Sequence, residues 1–541
     1  MIKKLLIIWM MLAFSSVLNA QNESVLAMQI KTDQHVYMVG ESIWIQGDGA
    51  DVKSISKFVE LQLLDRNGTI KSEVKFINNN GIFSGYLEIP KELRSDFYFL
   101  DCSIKGMPSQ VNLCPVAIIN ELYPPLTCSQ TGIPASSSSK EKQQFVISTN
   151  KNNYATRSLI SVEVTGLETA SDIVMSVRRK DRLSDYIDSI INRSTQMSFH
   201  TSKGTPDAEG HVVNARVLSG TDGTPQKNIL VYASVVGDRA RISSAISDER
   251  GEVVFVLPIV YEDSKIVFSV AESEEKLYKI DMEEDNDLRP EITFPCLQLS
   301  EGMRTSIEER LLSRDVTKGF YSGKAIRNFS PDSDTTDFYG KPDARYILDE
   351  FIRFPDMKEI LLEFVSEVRV RNPESEKPII QILNDPYKAY FTRNCYAMLD
   401  GVLVKNTKDL FAMDPLLIRS IDVVSRKFIL GQLQINGIIN YKTYTKDLAG
   451  FSLSPNDVIY PFKGVQRNAR PIFPVYTARQ NDHLPDFRNL LYLDFDSQLI
   501  KNQKKEYSFY TSDAKGQYTI TITGKDPRGN TISAEKIFSV N

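Results

Sequence analysis

The chain has 541 residues, 42% hydrophobic, 10% aromatic and 25% charged, with 64 basic against 69 acidic side chains and a formal net charge of -5. These are globular proportions, and they exclude a disordered, collagen-like or supercharged chain; the slight acidic excess also withholds the attraction that nucleic acid or an anionic membrane would need. At roughly 150 residues per domain, the length predicts about three or four domains.

Lys3-Lys4 precede an unbroken apolar run from Leu5 to Phe14, then Ser15-Ser16-Val17-Leu18-Asn19-Ala20. The run is too short to span roughly 30 Å of hydrocarbon, so residues 1–20 are expected to be a secretory signal peptide cut after Ala20. No later segment stays apolar for about 18 residues, which predicts an exported chain with no transmembrane segment after cleavage. Cys102, Cys114, Cys128, Cys296 and Cys395 form an odd set without a C-x-x-C pair, so no local zinc cluster or thioredoxin-like motif can be built. A bridge among the first three, such as Cys102 to Cys114, stays open.

Residues 22–120 read as strands separated by turns. In Phe58 to Leu63, Val59, Leu61 and Leu63 alternate with Glu60 and Gln62, the pattern of a half-buried strand. Asn67-Gly68 and Asn80-Gly81 supply the positive φ that tight turns require, and Gly40 does the same between the first strands. The run Lys31-Thr32-Asp33-Gln34-His35-Val36-Tyr37-Met38-Val39-Gly40-Glu41-Ser42-Ile43-Trp44, with Asp65-Arg66-Asn67-Gly68 and Gly81-Ile82-Phe83-Ser84-Gly85, resembles a macroglobulin domain of the alpha-2-macroglobulin type. The resemblance implies a β-sandwich in which Tyr37 and Trp44 fill the inter-sheet core.

A linker is expected over 121–144, where Pro124-Pro125 and Ser136 to Ser139 cannot bury apolar surface. A second sandwich is expected over 145–205, its Lys151-Asn152-Asn153-Tyr154 start similar to another macroglobulin-type repeat. A third strand-rich block spans 206–285, and its Asp248-Glu249-Arg250-Gly251-Glu252-Val253-Val254-Phe255 resembles the hairpin of carboxypeptidase regulatory-like domains. Residues 286–342 are read as a linker with a helix, Ser306 serving as N-cap ahead of Ile307, Leu311 and Leu312. Two short helices, Ala344 to Phe354 and Met357 to Val365, are expected on either side of Pro355.

Residues 343–450 hold the most specific pattern. Cys395-Tyr396-Ala397-Met398-Leu399-Asp400-Gly401-Val402-Leu403-Val404, then Asp414-Pro415 through Val424, then Gly437-Ile438-Ile439-Asn440-Tyr441-Lys442-Thr443, resembles the plug domain of TonB-dependent outer-membrane receptors. Asp400-Gly401 forms the turn and Asp414-Pro415 opens a helix. A receptor continues into a large barrel of alternating ten-residue strands, whereas about a hundred residues follow here, so transport is not carried over. Residues 451–484 are an extended Pro- and aromatic-rich segment, and 485–541 a further sandwich with turns at Asp513-Ala514-Lys515-Gly516 and Asp526-Pro527-Arg528-Gly529. The reading is a mainly β chain: tandem Ig-like, macroglobulin-type sandwiches, a small α+β plug-like domain and a C-terminal sandwich.

Signals for catalysis are missing. His35, His200, His211 and His483 include no H-E-x-x-H pair, and no G-x-S-x-G, Walker or G-x-G-x-x-G motif occurs. Thioester-bearing alpha-2-macroglobulins carry Cys-Gly-Glu-Gln, and no cysteine here precedes glycine. Asp332, Asp334, Asp337, Gly340 and Asp343 do not fit a calcium loop and read as a solvated stretch. No catalytic residue, metal or cofactor is assigned, and no nucleic-acid partner. Candidate contact residues are Tyr460, Phe462, Phe473 and Tyr476 in Pro-bracketed segments that either meet a partner or pack back as cover, together with Asp400 and Gly401 of the plug-like turn.

The function expected from this reading is that of an exported, non-catalytic accessory or scaffold subunit at the periplasmic face of the outer membrane or the cell surface. Its partner would be an outer-membrane β-barrel protein or envelope complex. Two alternatives stand beside it: a secreted surface binder of glycan or host protein with a C-terminal export domain, and a hydrolase with dispersed carboxylates.

Overall fold

The computed structural model describes residues 26–541 apart from 50–54, 127–144, 168–169, 194–195, 202–204, 272–275, 283–291, 322–325, 330–335, 353, 376, 406, 432, 477–482, 497–503 and 529. The expected signal peptide, most of the 121–144 linker, and Asp332 and Asp334 lie outside the described residues. The fold is mainly β, and the chain divides into two compact units. One holds the residues up to 206 with 287–329 and 468–541, and the other holds 207–286 with 330–467.

In the first unit, Leu26–Thr32, Ser42–Asp48 and Ile82–Glu88 form one side of a sandwich, and Phe58–Leu64, Ile70–Ile77, Asp96–Ser103 and Pro108–Ile119 the other. The long Pro108–Ile119 strand pairs with both sides. Val59, Leu61 and Leu63 point into the core as their alternation predicts. The Asn80-Gly81 turn has φ of 55° and 89°, and at the other turn Asp65 Oδ1 accepts the amides of Asn67 and Thr69 at 2.9 Å.

Tyr37 lies in this core, but Trp44 does not. Ile43 and Ile45 face inward, so the period-two geometry of the strand turns Trp44 to the opposite face. There it meets Tyr86 across the strand pair, ring centroids 5.2 Å apart, and packs with Val174 and Leu493 of the neighbouring sandwich and with Ala469 of the short strand Asn468–Pro471. The open Cys102–Cys114 pairing is also corrected, since both are free thiols. Cys114 lies opposite Leu100 rather than Cys102, and Cys102 Sγ sits 3.9 Å from Met28 Sδ. Cys296 is disulfide-bonded.

The segments expected as separate sandwiches, 145–205 and 485–541, build one sandwich together, and the former also lends Gln196–Thr201 to the first sandwich, antiparallel to Pro108–Ile119. Asn153–Tyr154, Thr531–Val540, Gly516–Lys525, Ser171–Arg179 and Leu490–Asp496 make a five-stranded sheet. Lys504–Tyr510, Leu159–Thr165 and Val146–Thr149 make the three-stranded sheet opposite. Neither segment alone has enough strands to close a core, and together they bury Ile160, Val162, Met175 and Val177 against Ile520, Ile522 and Phe538. Two helices cover the outer face of the first sandwich. Arg182–Ile191 starts at the Asp181–Ser184 capping box and buries Leu183, Ile187 and Ile190 against Phe97 and Phe99. Arg304–Tyr321 is entered through the 3-10 turn Glu301–Met303, which follows Ser300 without a side-chain cap and places Ser306 inside the helix rather than at its N-cap.

In the second unit, His211–Ser219, Glu252–Leu257 and Tyr278–Met282 face Leu230–Val235, Arg241–Ile246 and Ser264–Val270 in a sandwich. Asp248 Oδ1 accepts the amides of Arg250 and Glu252 at 2.8 Å, with Gly251 at φ 74°. Beside it stands an α/β lobe built on the sheet Ala344–Ile347, Ile418–Val424, Gly437–Thr443, Cys395–Leu399 and Val402–Val404. Cys395–Leu399 and Gly437–Thr443 run parallel and the other neighbours antiparallel. Ala344–Ile347 is a strand, not the expected helix, because its alternation completes the sheet edge. Met357–Glu363 is helical, capped by Asp356.

Removing residues 486–541 takes away the strands that pair with both Leu159–Thr165 and Ser171–Arg179. The truncated chain is expected to lose protease resistance throughout 145–179, whereas two independent sandwiches would leave that segment protected; limited proteolysis with mass spectrometry reads the difference.

Candidate functional site

The Asp400-Gly401 turn is the best-defined feature that the sequence singles out. Asp400 and Gly401 adopt φ of 46° and 82°, and the Asp400 side chain is fully buried. Its Oδ1 accepts the Thr443 amide at 2.7 Å, while Oδ2 accepts the Thr443 hydroxyl at 2.6 Å and the Leu448 amide at 2.9 Å. Its carbonyl accepts the Gly237 amide at 2.9 Å, and a side chain at Gly401 would meet the backbone of Arg239 and Ala240. The turn is therefore closed off by the sandwich of its own unit. Neither residue is available to a partner.

Next to it lies a buried ionic network. Lys442 Nζ stands 3.1 Å from Asp337 and 3.1 Å from Asp422, all three nearly inaccessible. Arg345 donates to both oxygens of Asp422 at 2.5 and 2.8 Å, Tyr339 Oη lies 3.3 Å from it, and Asn440 Nδ2 donates to Tyr339 Oη at 2.9 Å. Asp337 Oδ1 accepts the Ala240 amide at 2.7 Å. Burial opposes ionisation of Asp422, but the bonds from Arg345 and Lys442 outweigh it and hold the carboxyl below its ordinary range. Two carboxylates and two cations balance, so the network fixes the 336–340 segment across the sheet and leaves no charge to act on a substrate.

The aromatic candidates fall in two places. Tyr460 and Phe462 belong to the edge strand Val458–Phe462, paired with Ser264–Val270, and Phe462 is buried with its ring centroid 5.0 Å from that of His211. Phe473 packs at 5.8 Å from Tyr492 beneath Arg488, and Tyr476 donates to Asp486 Oδ2 at 2.6 Å under the Arg157 guanidinium. Arg157 in turn pairs with Asp513 at 2.6 Å. Of the two roles open to these side chains, the contacts of Phe462, Phe473 and Tyr476 are those of internal cover.

The exposed apolar side chains concentrate elsewhere. Nine of the large ones lie in residues 344–444, among them Ile352 at 83%, Ile429 at 84%, Tyr387 at 79% and Leu416 at 65% exposure. Sequence reasoning missed them because some, such as Tyr387 and Leu416, sit in 3-10 turns and others, such as Ile429, in three-residue strands, too short for period to fix inside or outside. The only advance signal is apolar residues inside turn chemistry, as in Asp385-Pro386-Tyr387 and Asp414-Pro415-Leu416.

In the first unit, His35 Nδ1 is 2.8 Å from Asp188 Oδ1, and Arg178 holds the other oxygen at 3.0 Å. Asp33, almost wholly buried, accepts the Tyr37 hydroxyl at 2.6 Å and the Trp44 amide at 3.0 Å. Burial pushes its carboxyl up to about 7 against the pull of those two bonds. Among the described residues, no group of three or more His, Cys, Asp or Glu side chains is arranged to hold a metal ion, and no helix is long and apolar enough to cross a membrane.

No family model matches the sequence, and no curated protein matches it. Among solved structures, the chain is similar to trypsin-activated alpha-2-macroglobulin from Escherichia coli, with TM-score 0.23 and 8% identity over 95% of this chain and 41% of that one. It is similar to Salmonella alpha-2-macroglobulin reacted with methylamine at 0.20 and 7%, over 95% and 39%, and to dimeric latent PorU from Porphyromonas gingivalis at 0.15 and 9%, over 95% and 34%. The chain spans about two fifths of the length of the alpha-2-macroglobulins. At these scores the likeness transfers no activity.

Two outcomes follow from this geometry. Asp400→Ala strands three buried donors and is expected to destabilise the second unit by about 3 kcal/mol, read by chemical denaturation, whereas Asp414→Ala at an exposed turn stays within about 1 kcal/mol. For Asp33, the folded state holds its proton more tightly than the unfolded one, so the stability it lends is complete below about pH 4 and lost as pH rises through about 7. Asp33→Asn, which keeps an acceptor for Tyr37 and Trp44, is expected to flatten that decline; an unchanged slope of unfolding midpoint against pH would refute the assignment.

Proposed function

We propose that this protein is a non-catalytic exported envelope protein, an accessory or scaffold subunit whose sandwiches act as spacers and whose α/β lobe docks to an outer-membrane β-barrel complex. Export is motivated by the charged, apolar and small-residue order of positions 3–20. Docking is supported by one observation above all. The lobe leaves Ile352, Leu362, Leu416 and Ile429 between 62% and 84% exposed, although its own core is closed by Met357, Ile360, Leu399, Val423 and Tyr441. Aliphatic side chains of this size stay in water at a cost, and their concentration in one lobe is what favours a protein-contacting surface there.

Burial of Asp400 and Gly401 moves the contact away from the turn on which the plug resemblance rests. The docking surface is assigned instead to the exposed aliphatics of the same lobe. A non-catalytic role agrees with the charge-balanced pairing of Asp337, Asp422, Lys442 and Arg345 and with the engagement of His35 by Asp188, since each group already has its counter-charge.

The decisive experiment is in-cell crosslinking from a photoreactive residue placed at Ile429 or Ile352, with exposed Glu535 of the first unit as comparison. Adducts with an outer-membrane barrel protein are expected from the lobe positions alone. Absence of adducts from both lobe positions, or the same adducts from Glu535, would sink the reading.

A further inference from the structure

A cleft of about 870 Å³ opens in the lobe, lined by none of the side chains of the buried ionic network and independent of any docking role. One wall is the end of Ile379–Asn384 with the 3-10 turn Asp385–Tyr387; another is Ser425 to Lys427, just beyond the strand Ile418–Val424. Asp343, Ser366, Glu367 and Phe391 complete the lining. We propose that this cleft binds an uncharged saccharide chain.

The turn presents its groups in an unusual way. Asn384 occupies the N-cap position, yet its side chain makes no capping bond, so the amide is left for another partner. The turn closes on Lys388, a non-glycine residue at φ 48°, and leaves the Tyr387 ring 79% exposed beside the cleft. A left-handed lysine and a solvated aromatic are both unfavourable locally, and neither contributes to the core. Across the cleft, the Ser425 amide is fixed by Asp343 Oδ2 at 2.7 Å, while the Lys427 ammonium lies 5.7 Å from the Phe391 ring centroid. Among the described residues, no carboxylate comes within 4 Å of Lys427. Arg426 differs, being spent on the carbonyls of Tyr339 and Lys341 and on Asp343 at 3.3 Å.

Charge and topology narrow the ligand. Asp343 is matched by Arg426 and Asp385 by Lys388, and Glu367 accepts the Tyr346 hydroxyl, so the lining has no dominant sign to draw in a polyanion or polycation. The apolar part is thin, limited to Leu383, Pro386 and Phe391 with the Tyr387 ring, which argues against a wholly apolar ligand. Strand addition by a peptide is blocked at the cleft end of Ile379–Asn384, because Val368–Arg371 pairs one edge of the strand and Ala389–Tyr390 pairs Leu383 and Asn384 on the other. What remains is an aromatic plate flanked by an amide, hydroxyls and an ammonium. A sugar ring offers the complement: an apolar C–H face for the plate and hydroxyls that both donate and accept.

Affinity electrophoresis of the full chain tests this in native gels cast with starch, xylan, galactomannan or dextran, followed by calorimetry with oligosaccharides of whichever polymer retards it. Retardation by at least one polymer is expected. Tyr387→Ala, Asn384→Ala and Lys427→Ala should each weaken binding about tenfold or more, equivalent to about 1.4 kcal/mol, while Glu535→Gln, exposed in the first unit, leaves it unchanged. The three cleft residues are on the surface or at its edge, and circular dichroism with an unchanged melting curve verifies that each variant folds. No retardation by any of the four polymers, or retardation that survives in the Tyr387→Ala/Lys427→Ala double variant, would overturn the proposal.

Discussion

Strand edges opened early in this chain are closed by segments that arrive hundreds of residues later, and the architecture depends on that closure. Leu159–Thr165 finds Lys504–Tyr510, and Ser171–Arg179 is flanked by Leu490–Asp496 and Gly516–Lys525. Arg157 and Asp513, 356 positions apart, seal the junction with an ion pair that also orders the Asp486 amide. The second unit repeats the device, since Val458–Phe462 completes a sheet begun at Leu230. Such long-range closure carries a loop-entropy cost that grows only slowly with length, so large intervening segments are tolerated once the sheet offers enough buried surface. Unpaired edges would otherwise invite pairing with other chains.

Charge in the second unit serves the same end. Lys442 sits on a strand whose burial would be prohibitive for a lone ammonium, and it is made tolerable by Asp337 from the 336–340 segment and Asp422 from the adjacent strand. Since Asp337 also takes the Ala240 amide and Asp400 offers its carbonyl to Gly237, the lobe and the sandwich share hydrogen bonds as well as the apolar contacts of Tyr232 and Ile242 with Val424 and Ile438. Removing one partner would strand a buried charge, which is far more costly than never having placed it there.

Local chemistry was readable from the residues alone, and partnership was not. Asn80-Gly81, Asp65 to Gly68, Asp248 to Gly251 and Asp400-Gly401 all turn as their residue types dictate, because positive φ and Asx bonding are decided within four residues. The alternation of Ile43, Trp44 and Ile45 was equally visible, but only the presence of Val174 and Leu493 on the far side explains why the indole faces away from the first core. Ala344–Ile347 reads as helix by spacing and becomes a strand because Ile418–Val424 offers an edge, tertiary pairing overriding a weak local preference. For the candidate site, Asp400-Gly401 was legible as a turn and not as a buried one, since nothing in its sequence announces the sandwich that covers it. Tyr387 and Lys427 were missed for the converse reason: their interest lies in contacts they do not make.

The first two sandwiches cannot act as beads on a flexible string. Lys525 pairs with Asp48, Lys31 donates to the Asp172 carbonyl at 3.1 Å, and Trp44 with Tyr86 abuts Val174 and Leu493, so apolar and ionic contacts lie side by side along one boundary. Burial of Lys31 pulls its ammonium below the ordinary lysine range, which marks that boundary as partly dehydrated. A dehydrated boundary with an aromatic at its centre resists shear better than surface ion pairs, which water screens. The first sandwich and the one closed by Leu490–Asp496 and Thr531–Val540 therefore share a packed boundary, and a spacer role for this unit hangs on those last strands.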